Sequence, residues 1–128
     1  MVLIDTNIIV RILLNDNPLL LKRAKELIEK EEEVLVLDPI VFEVFYVLEN
    51  KIYNTPKKEA VLSVRRFLKQ KKVVLENKEL IELTLDKYNQ TNISVPDAYL
   101  LARYILNKDK VITFDHKLNK LLLYSCLL

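Results

Sequence analysis

The segment Met1-Val2-Leu3-Ile4-Asp5-Thr6-Asn7 is a short apolar run that stops at a carboxylate, and the same event recurs along the chain. Three further acids stand at the end of, or inside, apolar segments. They are Asp115 after residues 111–114, Asp97 after residues 93–96, and Glu43 within residues 40–48. An isolated buried charge is costly, so each of these acids needs a cap, a partner or a cation.

Apolar runs alternate with segments of helical periodicity along the chain. The runs predict strands at residues 2–4, 34–37, 73–75 and 111–114. Helices are predicted between and after them, at residues 7–14, from Asn17-Pro18 onward, and at 40–53, 57–69, 78–89, 94–107 and 115–121. Such alternation favours parallel strands, and continuously apolar strands indicate a sheet covered on both faces. We therefore predict an α/β fold: a three-layer α/β/α sandwich with a mainly parallel central sheet, as one domain over residues 1–128.

The composition excludes several classes of protein. The 128 residues contain 20 Lys and Arg against 18 Asp and Glu, so net charge alone does not indicate nucleic-acid binding. Basic clusters at residues 57–58, 65–66 and 69–72 fit either a solvated helix face or a phosphate-binding surface. The absence of glycine excludes a glycine-rich phosphate loop and a dinucleotide fingerprint.

The compartment is indicated by cysteine content and hydropathy. Cys126 is the single cysteine, so neither an intrachain disulfide nor a cysteine zinc site can form. No apolar run approaches the ~20 residues of a membrane span, and Asp5 interrupts the only region where a signal peptide would lie. We expect a cytoplasmic protein that does not contact the membrane.

Topology predicts where the four acids lie. Asp5 and Asp115 follow predicted strands, and Glu43 and Asp97 fall in the first two turns of helices. In open parallel sheets, ligands bind beyond the carboxyl ends of the strands, so all four acids are predicted near one rim. Each aspartate also has an alternative role as a helix cap, and Asp38 is interpreted as a cap alone.

Glu43 has no capping role, because it lies too far beyond Asp38. It either belongs to a narrow polar face with Tyr46 and Asn50, or points into a site that compensates its charge.

Two carboxylates ~4 Å apart repel by roughly 4 kcal/mol at an effective dielectric of 20. A convergent cluster would therefore take up protons or bind a cation, and all-oxygen ligation selects Mg²⁺ or Mn²⁺. Such a site suits phosphodiester hydrolysis.

These landmarks resemble the PIN-domain ribonucleases, particularly the VapC toxins of toxin–antitoxin pairs. The resemblance is carried by residues 3–7, the apolar helix with Glu43, Pro96-Asp97-Ala98 and Thr113-Phe114-Asp115. The chain departs from the family at Asn107-Lys108-Asp109-Lys110, where members often carry a glycine.

The resemblance implies a Mg²⁺- or Mn²⁺-dependent endoribonuclease. Asp5, Glu43, Asp97 and Asp115 would form the catalytic metal site, with Asp5 and Asp97 as direct ligands. Neighbouring groups that orient carboxylates or contact the substrate would be Thr6, Asn7, Ser94 and Thr113. The implied partners are an RNA substrate, a small antitoxin protein and a second copy of the chain in a homodimer.

Alternatives and secondary residues stay open. A PIN nuclease without an antitoxin and a non-catalytic RNA-binding or interaction module are the rival functions. Arg11 could pair with a site carboxylate, with RNA, or with neither. Five tyrosines could stack on bases or pack in the core or at a dimer interface: Tyr46, Tyr53, Tyr88, Tyr99 and Tyr104.

Overall fold

The computed structural model describes residues 1–126, so the last two residues of the predicted domain lie outside it. The chain divides into two compact units, Met1–Glu76 and Asn77–Leu128. The assignment of residues 1–128 to a single domain stays a prediction.

The first unit contains a parallel sheet of three strands in the order β1-β2-β3. Their bounds are β1 Val2–Leu3, β2 Val34–Val36 and β3 Val73–Leu75. In the register, Val34 of β2 pairs with Val2 on one side and with Val73 on the other. Val34 and Val36 are completely buried, as expected for a central strand. The amide of Ile4 still donates to the carbonyl of Leu35 at 3.4 Å, so the ladder continues to the residue before Asp5.

Helices connect these strands, as the alternating sequence predicts. They are α1 Thr6–Leu14, α2 Pro18–Glu29, α3 Asp38–Leu48 and α4 Lys57–Leu68. The start of α2 shows the local chemistry clearly: the Asn17 side chain accepts a hydrogen bond from the Leu20 amide at 3.1 Å, and Pro18 follows. The helix-rich α/β class with an all-parallel sheet is confirmed.

The third helix differs from its prediction at both ends. Leu37, not Asp38, is the N-cap of α3, and the cap makes no side-chain hydrogen bond, so the capping role for Asp38 is wrong. The helix ends at Leu48, not at residue 53. Asn50 explains this end, since its side-chain oxygen accepts from the amides of Ile52 and Tyr53 at 2.9 and 3.0 Å. This local turn replaces helical hydrogen bonds.

The second unit is helical over its described residues. It contains α5 Lys78–Gln90, α6 Val95–Asn107 and α7 His116–Cys126, with α5 packed on α6 and α6 on α7. Lys108 ends α6 in the left-handed conformation, with φ 62° and ψ 24°. The last helix continues five residues beyond the predicted end at 121, to Cys126.

The predicted strand at residues 111–114 is wrong. These residues form no ladder, and the side chain of Ile112 is 87% exposed. The apolar, β-branched composition favours an extended chain, but a strand also needs the backbone of a neighbour. Within residues 77–126, the described secondary structure is helical and supplies no such neighbour.

No helix within residues 1–126 is both long enough and apolar enough to cross a membrane.

Candidate functional site

Asp5 lies at the carboxyl end of β1 and forms the N-cap of α1. Its backbone is extended, with φ −97° and ψ 175°, and its Oδ1 accepts a hydrogen bond from the Ile8 amide at 3.2 Å. Capping uses one side of the carboxylate, which has about four lone-pair positions in all. The side chain is exposed, so capping leaves oxygen available for a ligand. The two roles considered for Asp5 are therefore compatible.

Glu43 lies in the second turn of α3, which begins after the neighbouring strand β2. The helix buries Val41, Val44 and Phe45, and it leaves Glu43 exposed. Thr6, the first residue of α1, donates its hydroxyl hydrogen to Oε2 of Glu43. Glu43 thus faces solvent and is also held beside the residue that follows Asp5.

This contact brings three of the predicted residues together in the first unit. Asp5 and Thr6 are consecutive, and the hydroxyl of Thr6 joins α1 to α3 at Glu43. The geometry follows from the fold, because β1 and β2 are parallel neighbours and the segments that follow them leave the sheet at the same edge. The result is a pair of carboxylates, one fixed by a backbone amide and the other by a hydroxyl.

Asn7 lies on a different side of α1. It lines a cleft of about 400 Å³ with Arg11 and with Leu20 and Arg23 of α2. A second cleft of about 460 Å³ is lined by both Asp5 and Asn7, together with residues of β1. Asn7 is therefore placed near Asp5 but towards α2, whereas Thr6 is directed to α3.

Arg11 pairs with neither Asp5 nor Glu43. Its guanidinium makes a salt bridge to Asp16 at 3.2 Å and donates to the Tyr53 hydroxyl at 3.2 Å. The hydrogen bond to Tyr53 raises the pKa of Arg11 above its usual value, and the charge of Asp16 acts in the same direction. Arg11 thus ties the end of α1 to the segment after α3, which is a structural role.

Asp97 lies in the first turn of α6 and is half-buried. The hydroxyl oxygen of Ser94 caps this helix by accepting from the Asp97 backbone amide at 3.2 Å. Ser94 therefore positions the backbone of Asp97 without occupying its carboxylate. The predicted capping role belongs to Ser94 and leaves the acid free for other chemistry.

Asp115 precedes α7, and its Oδ1 accepts from the Leu118 amide at 2.8 Å. Thr113 orients the same residue, since its hydroxyl oxygen accepts from the Asp115 amide at 3.0 Å. Asn119, which was not among the predicted site residues, donates its side-chain amide to the Thr113 carbonyl at 3.0 Å. Its position one helical turn after Asp115 was the available signal. In the second unit, Thr113, Asp115 and Asn119 therefore form a local network.

The donor chemistry can be compared with the needs of a cation. Over residues 1–126, no group of three or more His, Cys, Asp or Glu side chains lies close enough to hold a metal ion. Mg²⁺, however, usually keeps several waters and is held by one or two protein carboxylates. The carboxylates of Asp5 and Glu43, beside the Thr6 hydroxyl, offer only hard oxygen donors. They fit Mg²⁺ or Mn²⁺ and do not fit a softer metal.

A parallel α/β sheet with carboxylates at the carboxyl ends of its strands is the arrangement of many enzymes that bind ligands at that edge. The chain matches the family model of the PIN domain over residues 2–121 and therefore belongs to the PIN-domain family. PIN domains are generally metal-dependent nucleases that act on RNA. Searches of curated proteins and of solved structures gave no significant match.

Proposed function

We propose that this protein is a Mg²⁺- or Mn²⁺-dependent endoribonuclease that hydrolyses phosphodiester bonds in RNA. The observation that supports it best is the hydrogen bond from Thr6 to Glu43, beside Asp5 at the carboxyl end of β1. In a chain that matches the PIN domain over residues 2–121, an exposed, oriented pair of carboxylates is suited to holding a hard cation.

The catalytic acids in this proposal are Asp5, Glu43, Asp97 and Asp115. Thr6 orients Glu43. Ser94 holds the backbone of Asp97, Thr113 holds the backbone of Asp115, and Asn7 contacts the substrate. When bound, the metal ion supplies a Lewis acid that lowers the pKa of a water and stabilises charge on the phosphate. The protein residues fix the carboxylates in advance, so that little reorganisation is needed when the substrate binds.

The biological setting is a further part of the proposal. The resemblance to the VapC toxins supports a type II toxin whose partner is a small antitoxin protein. It also supports a homodimer in the cytoplasm. Incubation of the purified protein with a purified candidate antitoxin should then abolish cleavage. Cleavage that no such protein inhibits would instead favour an RNA-processing nuclease.

Cleavage of a mixed RNA pool tests the enzymatic proposal. The protein should cut RNA with Mn²⁺ or Mg²⁺ and lose this activity in excess chelator. Asp97→Asn should lower the cleavage rate roughly 100-fold or more, because a ligand to the metal is lost. The fold should persist, since Ser94 caps α6 through the Asp97 backbone and not through its carboxylate.

Glu79 supplies the matched control for this experiment. It is an exposed acid in the first turn of α5, in the same unit as Asp97, and it is not one of the proposed site acids. Glu79→Gln should therefore leave cleavage unchanged. Full activity of Asp97→Asn, or of the unmodified protein in excess chelator, would contradict the mechanism. RNA binding without metal-dependent turnover would favour a non-catalytic RNA-binding module.

A further inference from the structure

The six tyrosines of the chain differ sharply in their surroundings. Tyr88 is buried, and the hydroxyl of Tyr53 contacts Arg11 and Asp16. Tyr99 and Tyr104 are half-buried and take part in further interactions. Two tyrosines remain with largely exposed side chains, Tyr46 at 79% and Tyr124 at 63%.

Tyr46 lies three residues after Glu43 on α3. Residues at this spacing on a helix are neighbours, with about 5–6 Å between their Cβ atoms. Both side chains are exposed, on the part of the helix that does not carry the buried Val44, Phe45 and Leu48. An uncovered aromatic ring therefore stands one helical turn from the carboxylate that Thr6 holds.

We propose that Tyr46 is a base-stacking residue that positions RNA against the Asp5–Glu43 pair. This inference rests on the proposed nuclease function and adds a substrate-positioning residue to it. A tyrosine ring can stack on any unpaired base, so it would set the distance of the strand from the carboxylates without selecting a sequence. A base inside a duplex is already stacked and offers no free face to the ring.

A contact with a second copy of the chain is the competing role for an exposed ring. The neighbours of Tyr46 on α3 favour RNA, because the same face carries the charged Glu43 and leads to the polar Asn50. Charged residues are depleted in the cores of protein interfaces. The polar neighbours of Tyr46 are unlike the apolar core of a protein interface, whereas a stacked base needs only the exposed face of the ring.

Fluorescence can test stacking separately from cleavage, because the chain contains no tryptophan. Tyr46→Trp and, as the matched control, Tyr124→Trp would each introduce a single indole at an exposed tyrosine position. Both are made together with Asp5→Asn so that the RNA stays intact. Single-stranded RNA should quench the Tyr46→Trp fluorescence saturably, and a fully paired RNA should not. Quenching that is absent, or equal in both proteins, would overturn the proposal.

Kinetics supply the second measurement. Tyr46→Ala should raise KM for single-stranded RNA roughly 5- to 150-fold, the equivalent of one lost stacking contact, with little change in kcat. Tyr46→Phe keeps the ring and should behave as the unmodified protein. Light scattering should give the same mass for all three proteins. A mass that falls with Tyr46→Ala would assign the residue to an interface between copies and refute stacking.

The two proposals can fail independently. If Tyr46→Trp fluorescence is quenched selectively but the unmodified protein, with Asp5 intact, does not cleave RNA, the nuclease function is contradicted and the stacking role still stands. Cleavage with an unchanged KM in Tyr46→Ala would do the reverse.

Discussion

Asp5 performs a structural task and is proposed to perform a catalytic one, and substitutions can separate the two. Its Oδ1 accepts a hydrogen bond from the Ile8 amide at 3.2 Å and so caps α1. Asparagine caps helices about as well as aspartate does, whereas alanine provides no acceptor. Asp5→Asn therefore removes the charge and keeps the cap, and Asp5→Ala removes both.

The expected sizes of the two effects follow from this geometry. Loss of an N-cap costs about 0.5–2 kcal/mol, which corresponds to a fall in Tm of roughly 2–8 °C for a chain of this size. Asp5→Asn gives up the attraction between a negative charge and the helix N-terminus, about 0.3–1 kcal/mol. Cleavage should decrease roughly 100-fold or more in both variants, because each lacks the proposed metal-binding carboxylate.

Asn17 provides the control, since it caps α2 in the same way, with its side chain accepting from the Leu20 amide at 3.1 Å. Asn17→Ala should lower Tm about as much as Asp5→Ala and leave cleavage intact. Thermal unfolding followed by circular dichroism, and cleavage of a labelled RNA below every Tm, give the two readouts. If Asp5→Asn cleaves RNA normally, the residue is a cap and nothing more. If Asn17→Ala loses cleavage to the same degree, the activity assay is reporting stability.

Two further substitutions test features that the structure revealed. Thr6→Val removes the hydroxyl that donates to Glu43 and should weaken metal-dependent activity roughly 10- to 100-fold, as the loss of a group that orients a ligand does. Thr6→Ser keeps the donor and should retain activity in a Mn²⁺ titration; equal titrations for both variants would refute the orienting role. Lys108→Gly relieves a left-handed backbone at φ 62° and should raise the free energy of unfolding in urea by about 0.5–1 kcal/mol. Lys108→Ala keeps a Cβ atom and should give no such gain, so a gain of equal size in both would show that backbone strain is not the cause.

The features predicted well from the sequence depend on neighbouring residues. Asn17-Pro18 predicts the start of α2 because the cap and the proline act within one turn, and the structure has both. Apolar runs likewise predict the three paired strands. The turn after α3 was missed because Asn50 competes for two backbone amides at 2.9 and 3.0 Å, and hydropathy does not register this competition.

The features predicted poorly depend on distant partners. Residues 111–114 have the composition of a strand, yet they form no ladder because pairing depends on another segment. The orientation of Glu43 was also undetermined, since a polar helix face and a site both fit one acid in an apolar helix. The contact with Thr6 spans 37 positions and follows from the parallel pairing of β1 and β2. Sequence periodicity describes one element at a time and does not report such contacts.

Capping and metal binding are two explanations for the aspartates, and in the structure one does not exclude the other. A cap fixes one carboxylate oxygen of Asp5 to a backbone amide, and it does the same for Asp115 at 2.8 Å. Fixing one oxygen restricts the rotation of the carboxylate, so the other oxygen is presented in a defined direction before any ligand arrives. A metal site whose acids are also caps would lose less side-chain entropy on binding than one built from free acids. The start of a helix is then a suitable place for a catalytic aspartate, because the hydrogen bond that begins the helix also aims the ligand.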